Sequence, residues 1–135
     1  YKAKIRDDAL LREAVILPGF VGNPSNFYAS ADIYLRTTIF EGMNRASAMA
    51  MAYAKPIVAF DTKAPTEGIL HGKTGLLVPT GDVHALVEAI KILAKDENLR
   101  GKLGENACEF CKQNYDMLDT VKTFENIYFK LASQK

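Results

Sequence analysis

The sequence has few of the features that mark secreted, membrane or nucleic-acid-binding proteins. Its two cysteines, and the lack of an Asn-x-Ser/Thr acceptor, do not indicate secretion, so we expect a reducing cytosol. Seventeen Lys and Arg face sixteen Asp and Glu, and the net charge of +1 provides no basic stripe for nucleic acid. The longest apolar stretch, residues 46–60, is broken by Lys55 and Pro56 and is too short to span a bilayer.

The start of the chain also lacks a signal peptide and an initiating Met, since it opens with Tyr1. These features predict a processed protein or, preferably, an excised piece of a longer one. Hydrophobic residues make up 48% and charged residues 24% of the sequence, an ordinary globular balance. A length of 135 residues predicts one domain.

Short apolar runs alternate with longer segments of helical period. The runs typical of strands buried on both faces are 15–17, 32–35, 56–60 and 75–78. The segments typical of helices after the last strand are 83–95 with Asp82 as N-cap, 98–113 and 116–131. This alternation predicts an α/β fold with a parallel sheet and flanking helices.

The segment 42–53 has almost no polar face, and we therefore expect a helix buried on all sides. Polar residues are concentrated at its N-terminal end, over residues 37–45. Ligands of open α/β sheets bind at the carboxyl ends of the strands, and a helix N-terminus suits phosphate. The sequence thus predicts an anion-binding place between the end of the strand 32–35 and this helix.

Five stretches in one fixed order carry a family resemblance. They are Ala31-Asp32-Ile33-Tyr34-Leu35, Phe40-Glu41-Gly42-Met43, Ala50-Met51-Ala52, Lys55-Pro56-Ile57-Val58-Ala59 and residues 67–82, with Gly19-Phe20-Val21 upstream. The series resembles the C-terminal half of the group-1, family-4 glycosyltransferases of the GT-B fold.

The resemblance implies a Rossmann-like parallel sheet with flanking helices, as an incomplete C-terminal domain of a GT-B fold. Residues 1–135 would be a single partial domain that binds a nucleotide-sugar donor, with the N-terminal acceptor domain absent. It implies a retaining glycosyltransferase that transfers sugar to a glycan, lipid or other acceptor bound by the missing domain. It further implies no cofactor or metal. The balanced charge predicts no nucleic-acid partner, and the broken apolar stretch predicts no transmembrane segment. We expect a cytoplasmic location, with peripheral membrane attachment through the missing domain as an open alternative.

The resemblance also assigns candidate substrate-binding residues, whereas the catalytic residue is unknown. Glu41 matches the glutamate that hydrogen-bonds donor-sugar hydroxyls. The following loop, whose backbone amides approach the sugar and diphosphate, comprises Gly42, Met43, Asn44 and Arg45. Arg45 either reaches phosphate or pairs with a surface acid. Thr38 is a further candidate, and local backbone bonding by its hydroxyl is equally open.

Departures from the family pattern leave other functions open. Met49 occupies the position of a second glutamate that binds the nucleotide ribose, and methionine accepts hydroxyl bonds poorly. Ala54 replaces a helix-ending glycine, and Lys63 and Ala64 replace a glycine pair. The main alternative is therefore a non-catalytic nucleotide- or sugar-binding module of the same fold. An unrelated α/β interaction domain is a third possibility.

The strand order of a Rossmann domain makes the four expected strands numbers 3, 4, 5 and 6. The strand 15–17 would then be separated from the other three, and the sheet would be incomplete. We expect such a chain to expose sheet edges and to aggregate readily when isolated.

The remaining chemistry-bearing residues have structural interpretations. Cys108 and Cys111 fall late in a predicted helix, without further zinc ligands nearby, so we expect inward packing with Phe110 nearby. His71 and His84 are predicted to be ordinary surface residues. Glu67 fits helix capping and a cleft role equally well.

Overall fold

The structure is a computed structural model that describes residues 2–39, 44–62 and 68–133. Helices precede the first of three strands, lie between the first and the second, and follow the third along this part of the chain. In chain order the elements are α1 (Lys2–Asp7), α2 (Ala9–Ala14), α3 (Ser25–Ser30), β1 (Tyr34–Arg36), α4 (Arg45–Ala52), β2 (Ile57–Asp61), β3 (Gly75–Pro79), α5 (Val83–Lys95), α6 (Glu97–Asn114) and α7 (Met117–Ala132).

The three strands form one parallel sheet in the order β1-β2-β3. Tyr34 lies opposite Ile57, and Ile57 lies opposite Gly75. Three of the four predicted strands are therefore confirmed, and they are neighbours, as strands 4, 5 and 6 of a Rossmann order would be. The fold is α/β and Rossmann-like, as the sequence predicts.

The predicted strand at residues 15–17 is wrong. Val15 ends α2, where its N–H donates to the carbonyl of Leu11, and Ile16 and Leu17 have no regular structure. Ile16 is 82% exposed. A β-strand forms backbone hydrogen bonds with a neighbouring strand along its length. Within the described residues no strand pairs with this segment.

Hydrophobic clusters cover both faces of the sheet. The cluster that α5 covers contains Val58, Phe60, Val78, Leu86, Ala89, Leu93 and Leu103. The cluster that α4 and α6 cover contains Ala50, Met51, Ile57, Ala59, Ile69 and Ala107. Neighbouring residues of β2 alternate between these clusters because side chains in a strand point to opposite faces. This arrangement explains why residues 57–60 are continuously apolar and buried.

The helix α4 ends in a Schellman motif. The N–H of Lys55 donates to the carbonyl of Ala50 at 2.9 Å, and the N–H of Ala54 donates to that of Met51 at 2.8 Å. Ala54 adopts a positive φ of 54°, a conformation in which glycine is the usual residue. The family glycine that Ala54 replaces thus matches a position where the backbone is left-handed.

The expectation that α4 is buried on all sides is wrong. Ser47, Ala50 and Met51 are buried, but Arg45 and Ala52 are exposed and Met49 is 39% exposed. One face of the helix packs on the sheet and α6, while the other faces solvent. Alanine counts as apolar in the sequence pattern, but its side chain is so small that exposing it to water costs little free energy.

The three C-terminal helices are confirmed, each within about one residue of its predicted bounds. Each begins at an aspartate whose carboxylate accepts a backbone N–H bond: Asp82 from Ala85, Asp96 from Leu99 and Asp116 from Leu118. The helices α5 and α6 pack on the sheet, whereas α7 has no buried residue. The N-terminal helix α1 likewise has no buried residue.

Candidate functional site

The sequence predicts an anion-binding site at the carboxyl edge of the sheet. Because the strands are parallel, β1, β2 and β3 end at the same edge, at Arg36, Asp61 and Pro79. The helix α4 connects two parallel strands and so begins at that edge. The Thr80 hydroxyl donates to the carbonyl of Asp61 at 2.6 Å and joins the ends of β2 and β3.

The N-terminus of α4 is closed by Asn44. The side-chain oxygen of Asn44 accepts from the N–H of Ser47 at 2.9 Å, an N-cap bond. The other N–H groups of the first turn have no partner inside the helix and carry the positive end of its dipole. Arg45, the first helical residue, is exposed and adds a positive charge there. The end of α4 is therefore electrically suited to an anion.

The predicted site residues are only partly within the described structure. Thr38 lies two residues beyond β1 and is exposed, while Asn44 and Arg45 form the start of α4. Glu41, Gly42 and Met43 lie outside the described residues, and so do Lys63, Ala64 and Glu67. The structure thus brings the end of β1 and the start of α4 to one edge, and the role of Glu41 stays a prediction.

Met49 stands on the outer part of α4, 39% exposed and clear of the helix's packed face. A glutamate at this position would be sterically acceptable because the side chain is not enclosed. The methionine is therefore not required for core packing. Its presence instead removes a hydrogen-bond acceptor from this surface.

Two polar residues at this edge were not singled out from the sequence. Arg36 is 6% exposed and Ser47 is 2% exposed, and both are buried. The only signals are a charged residue directly after the apolar run that ends at Leu35, and a lone hydroxyl in the Ala- and Met-rich segment of α4. A buried polar group in an otherwise apolar setting is informative because it carries a desolvation cost.

The two cysteines lie on α6 and face α4, as their spacing predicts. Cys108 Sγ donates to the carbonyl of Ala52 at 3.7 Å, and Cys111 Sγ donates to that of Ala48 at 3.6 Å. Burial, and then the neighbouring Cys108, raise the pKa of the Cys111 thiol. Both thiols are free, and this environment favours the unreactive protonated form at Cys111.

Neither histidine belongs to the candidate site. His71 is exposed, and its Nδ1 accepts a bond from the N–H of Leu77 at 3.0 Å. His84 is exposed near the start of α5. In residues 2–39, 44–62 and 68–133, no three His, Cys, Asp or Glu side chains group as metal ligands. Across the same ranges no helix combines the length and the apolar character needed to cross a bilayer.

Comparison with known proteins identifies the family. The profile described as Glycosyl transferases group 1 matches residues 1–96. The chain belongs to this family. It is 27% identical over 114 residues to the capsular polysaccharide biosynthesis glycosyltransferase CapM of Staphylococcus aureus, an alignment that covers 84% of this chain and 30% of CapM.

Solved structures show the same fold. Sucrose-phosphate synthase from Thermosynechococcus elongatus superposes with a TM-score of 0.90 at 21% identity, over 99% of this chain and 34% of that one. HepE from Anabaena, in complex with UDP-glucose, superposes with a TM-score of 0.82 at 25% identity, over 98% of this chain and 35% of that one. The chain therefore spans about a third of the length of each of these three relatives.

Proposed function

We propose that this chain forms part of the donor site of a glycosyltransferase that transfers sugar from a nucleotide-diphosphate sugar to an acceptor. Family membership supports this function, and HepE, a structural neighbour, binds UDP-glucose. The observation that carries the proposal is the meeting of the end of β1 with the capped, positively charged start of α4. A diphosphate is the kind of ligand such an edge accepts.

The site residues have distinct roles in this proposal. Glu41 accepts hydrogen bonds from donor-sugar hydroxyls, since a carboxylate suits paired hydroxyl donors. Gly42 and Met43, with Asn44 and Arg45, present backbone amides to the sugar and diphosphate. The exposed Thr38 contributes a hydroxyl at the same edge. Met49 lies where the ribose would be bound.

The reaction then depends on orientation and charge. The donor is held so that the anomeric carbon faces the acceptor, and the departing diphosphate is stabilised by the N-terminus of α4 and nearby cations. We propose transfer with retention at the anomeric carbon, residues 1–135 as the partial C-terminal donor domain, and an acceptor bound by a separate N-terminal domain. We further propose a cytoplasmic location, with peripheral membrane attachment through that other domain as the alternative.

Replacement of Glu41 tests the proposal in the full-length protein. Glu41→Ala should lower kcat/KM for sugar transfer by about 100-fold or more, because two charge-assisted hydrogen bonds to the sugar are lost. Glu109→Ala, an exposed glutamate on α6, is the matched control and should behave as wild type. Equal activity of Glu41→Ala and wild type would refute the assignment.

A second function, a non-catalytic nucleotide- or sugar-binding module, is favoured by one observation. Met49 is exposed at the position of the ribose-binding glutamate and offers no carboxylate. Calorimetry with nucleoside diphosphates and their sugars, paired with a transfer assay on the full-length protein, separates the two functions. Binding without turnover supports the module, whereas turnover supports the enzyme.

A further inference from the structure

Arg36 carries a charge into the interior of the domain. It ends β1 and is only 6% exposed. Its Nη2 donates to the carbonyl of Phe60 at a long 3.4 Å, and its Nε has no hydrogen-bond partner among the described residues. None of the ion pairs within those residues includes Arg36. A guanidinium is a charged group, so its burial leaves a charge that no acid among the described residues compensates.

The side chain of Arg36 lies on the face of the sheet that α4 covers. Tyr34 and Arg36 are two residues apart in β1 and so point to the same face. Tyr34 packs against the cluster that contains Ala50 and Met51 of α4. Arg36 is one step closer to the carboxyl edge, where α4 begins.

Ser47 places a second unsatisfied group in the same layer. It is 2% exposed, and its Oγ has no hydrogen-bond partner in the described part of the chain. Ser47 shares the inner face of α4 with Ala50 and Met51, at spacings of three and four residues. It stands one turn nearer the N-terminus than they do, and therefore nearer the edge where Arg36 lies.

We propose that Arg36 and Ser47 form an oxyanion subsite at the carboxyl edge of the sheet, under the N-terminus of α4. The guanidinium offers a planar fork of N–H donors that matches two oxygens of a phosphate or carboxylate. The Ser47 hydroxyl donates a further bond, and the dipole of α4 adds positive potential. Thr37 and Thr38, which follow Arg36, are exposed at the same edge.

The subsite itself follows from the buried guanidinium, while the identity of its natural anion rests on the proposed function. Within a nucleotide sugar, the matching oxygens belong either to the diphosphate or to the carboxylate of an acidic sugar. These two sources share one chemistry and are distinguished by the choice of probe.

Thermal unfolding of the full-length protein with increasing inorganic pyrophosphate, at an ionic strength held constant with sodium chloride, tests the subsite. Wild type should rise in Tm with pyrophosphate. Arg36→Met should bind it at least about tenfold more weakly, because charge-assisted bonds are lost. The pyrophosphate affinity of Ser47→Ala should lie between those of wild type and Arg36→Met. Arg12→Met is the matched control, since it removes an equal charge from an exposed position on α2 and should behave as wild type.

The unliganded variants provide a second readout. Arg36→Met should unfold at the same Tm as wild type or a higher one, because an apolar chain of similar length replaces an uncompensated charge. A marked fall in Tm with an unchanged response to pyrophosphate would mean that protein groups satisfy the guanidinium, and the subsite would be refuted. Should Arg36→Met fail to fold, Arg36→Lys keeps the charge without the fork and should also weaken pyrophosphate binding.

Titrations with UDP, UDP-glucose and UDP-glucuronate distinguish the source of the anion. If Arg36→Met lowers the affinity for all three nucleotides equally, the anion at the subsite is the diphosphate. If it lowers the affinity for UDP-glucuronate alone, the anion is the sugar carboxylate. Unchanged affinity for pyrophosphate and all three nucleotides overturns the subsite. A wild type that responds to pyrophosphate at Arg36 but binds none of these three, and no other nucleoside diphosphate or nucleotide sugar, retains the subsite and contradicts the proposed function.

Discussion

Met49 is the residue whose replacement best separates an active donor site from a binding module. Its side chain is 39% exposed on α4, so a longer polar group fits without repacking. If the nucleotide ribose reaches α4 here, Met49→Glu should bind UDP about tenfold more tightly, because a carboxylate accepts bonds from the ribose hydroxyls. Calorimetric titration of the full-length variant and wild type measures the change.

The control for Met49→Glu is Met117→Glu. Met117 is an exposed methionine at the start of α7, away from the carboxyl edge of the sheet. This substitution introduces the same charge and should leave the affinity for UDP unchanged. If Met49→Glu also leaves it unchanged, the ribose does not lie against α4.

Cys111 is predicted to be a slow nucleophile despite its neighbouring thiol. Burial and the nearby Cys108 raise the pKa of Cys111, so its thiolate fraction at mildly alkaline pH is below that of a free cysteine. In a Cys108→Ser variant, iodoacetamide should alkylate Cys111 more slowly than N-acetylcysteine at pH 8. The pH–rate curve should inflect above the ordinary thiol range.

The same shift has a consequence for stability. As pH rises, the thiol of the unfolded chain loses its proton first, because its pKa is lower than that of folded Cys111. Ionisation therefore favours the unfolded state, and this contribution lowers stability above the ordinary thiol pKa. Cys111→Ser should weaken the alkaline loss of stability. Identical alkaline unfolding of Cys111→Ser and wild type would contradict the assignment.

Single residues also show what the sequence could and could not predict of the site. The start of a helix near Asn44 and Arg45 was predictable because polar residues before an apolar helical segment are a known start signal, whereas donor binding by these two residues stays a prediction. Arg36 was not predictable, because an arginine at the end of a strand is ordinarily solvated. Its burial depends on how α4 and the sheet meet, which is a property of tertiary packing.

At the scale of elements, the three strands that pair with a neighbour were predicted correctly, whereas the strand predicted at residues 15–17 does not form. Residues 56–60 and 75–78 are apolar because both of their faces are covered, so their pattern and their structure agree. Residues 15–17 have the same apolar character but no paired strand among the described residues. Local composition records that a segment is apolar, whereas strand formation also requires hydrogen-bonding partners.

The contact between α4 and α6 depends on a missing side chain at Gly104. This glycine is buried in α6, and a Cβ there would collide with the backbone carbonyl of Ala54 at the end of α4. Gly104→Ala should lower the free energy of unfolding by about 1–3 kcal/mol, because the two helices must separate. Chemical denaturation monitored by circular dichroism measures the loss.

Gly101 is the matched control within the same helix. A Cβ at Gly101 meets nothing within 4 Å, so Gly101→Ala should raise the free energy of unfolding by up to about 1 kcal/mol through helix propensity. Opposite signs at the two glycines identify close approach as the cause. Stabilisation by both substitutions would show that α4 and α6 do not approach closely at Ala54.

At the scale of the whole molecule, hydrophobic surface is exposed in more than one place. The helix α7 buries no residue, and one of its faces carries the apolar side chains of Met117, Val121, Phe124, Tyr128 and Leu131. The strands β1 and β3 form the two edges of the three-stranded sheet. Exposed apolar helix faces and unpaired strand edges both promote association.

The isolated 135-residue chain should therefore self-associate, as the incomplete sheet predicts. If α7 dominates, the double variant Phe124→Glu/Tyr128→Lys, which leaves net charge unchanged, should shift the chain toward monomer in sedimentation velocity. Thr123→Glu/Asn126→Lys places the same charges on polar positions of α7 and should associate like wild type. Persistent association of the apolar-face variant would instead point to the sheet edges, because they are unaltered by it. A monomeric wild type at high concentration would contradict the prediction, since it would require both exposed features to be tolerated in water.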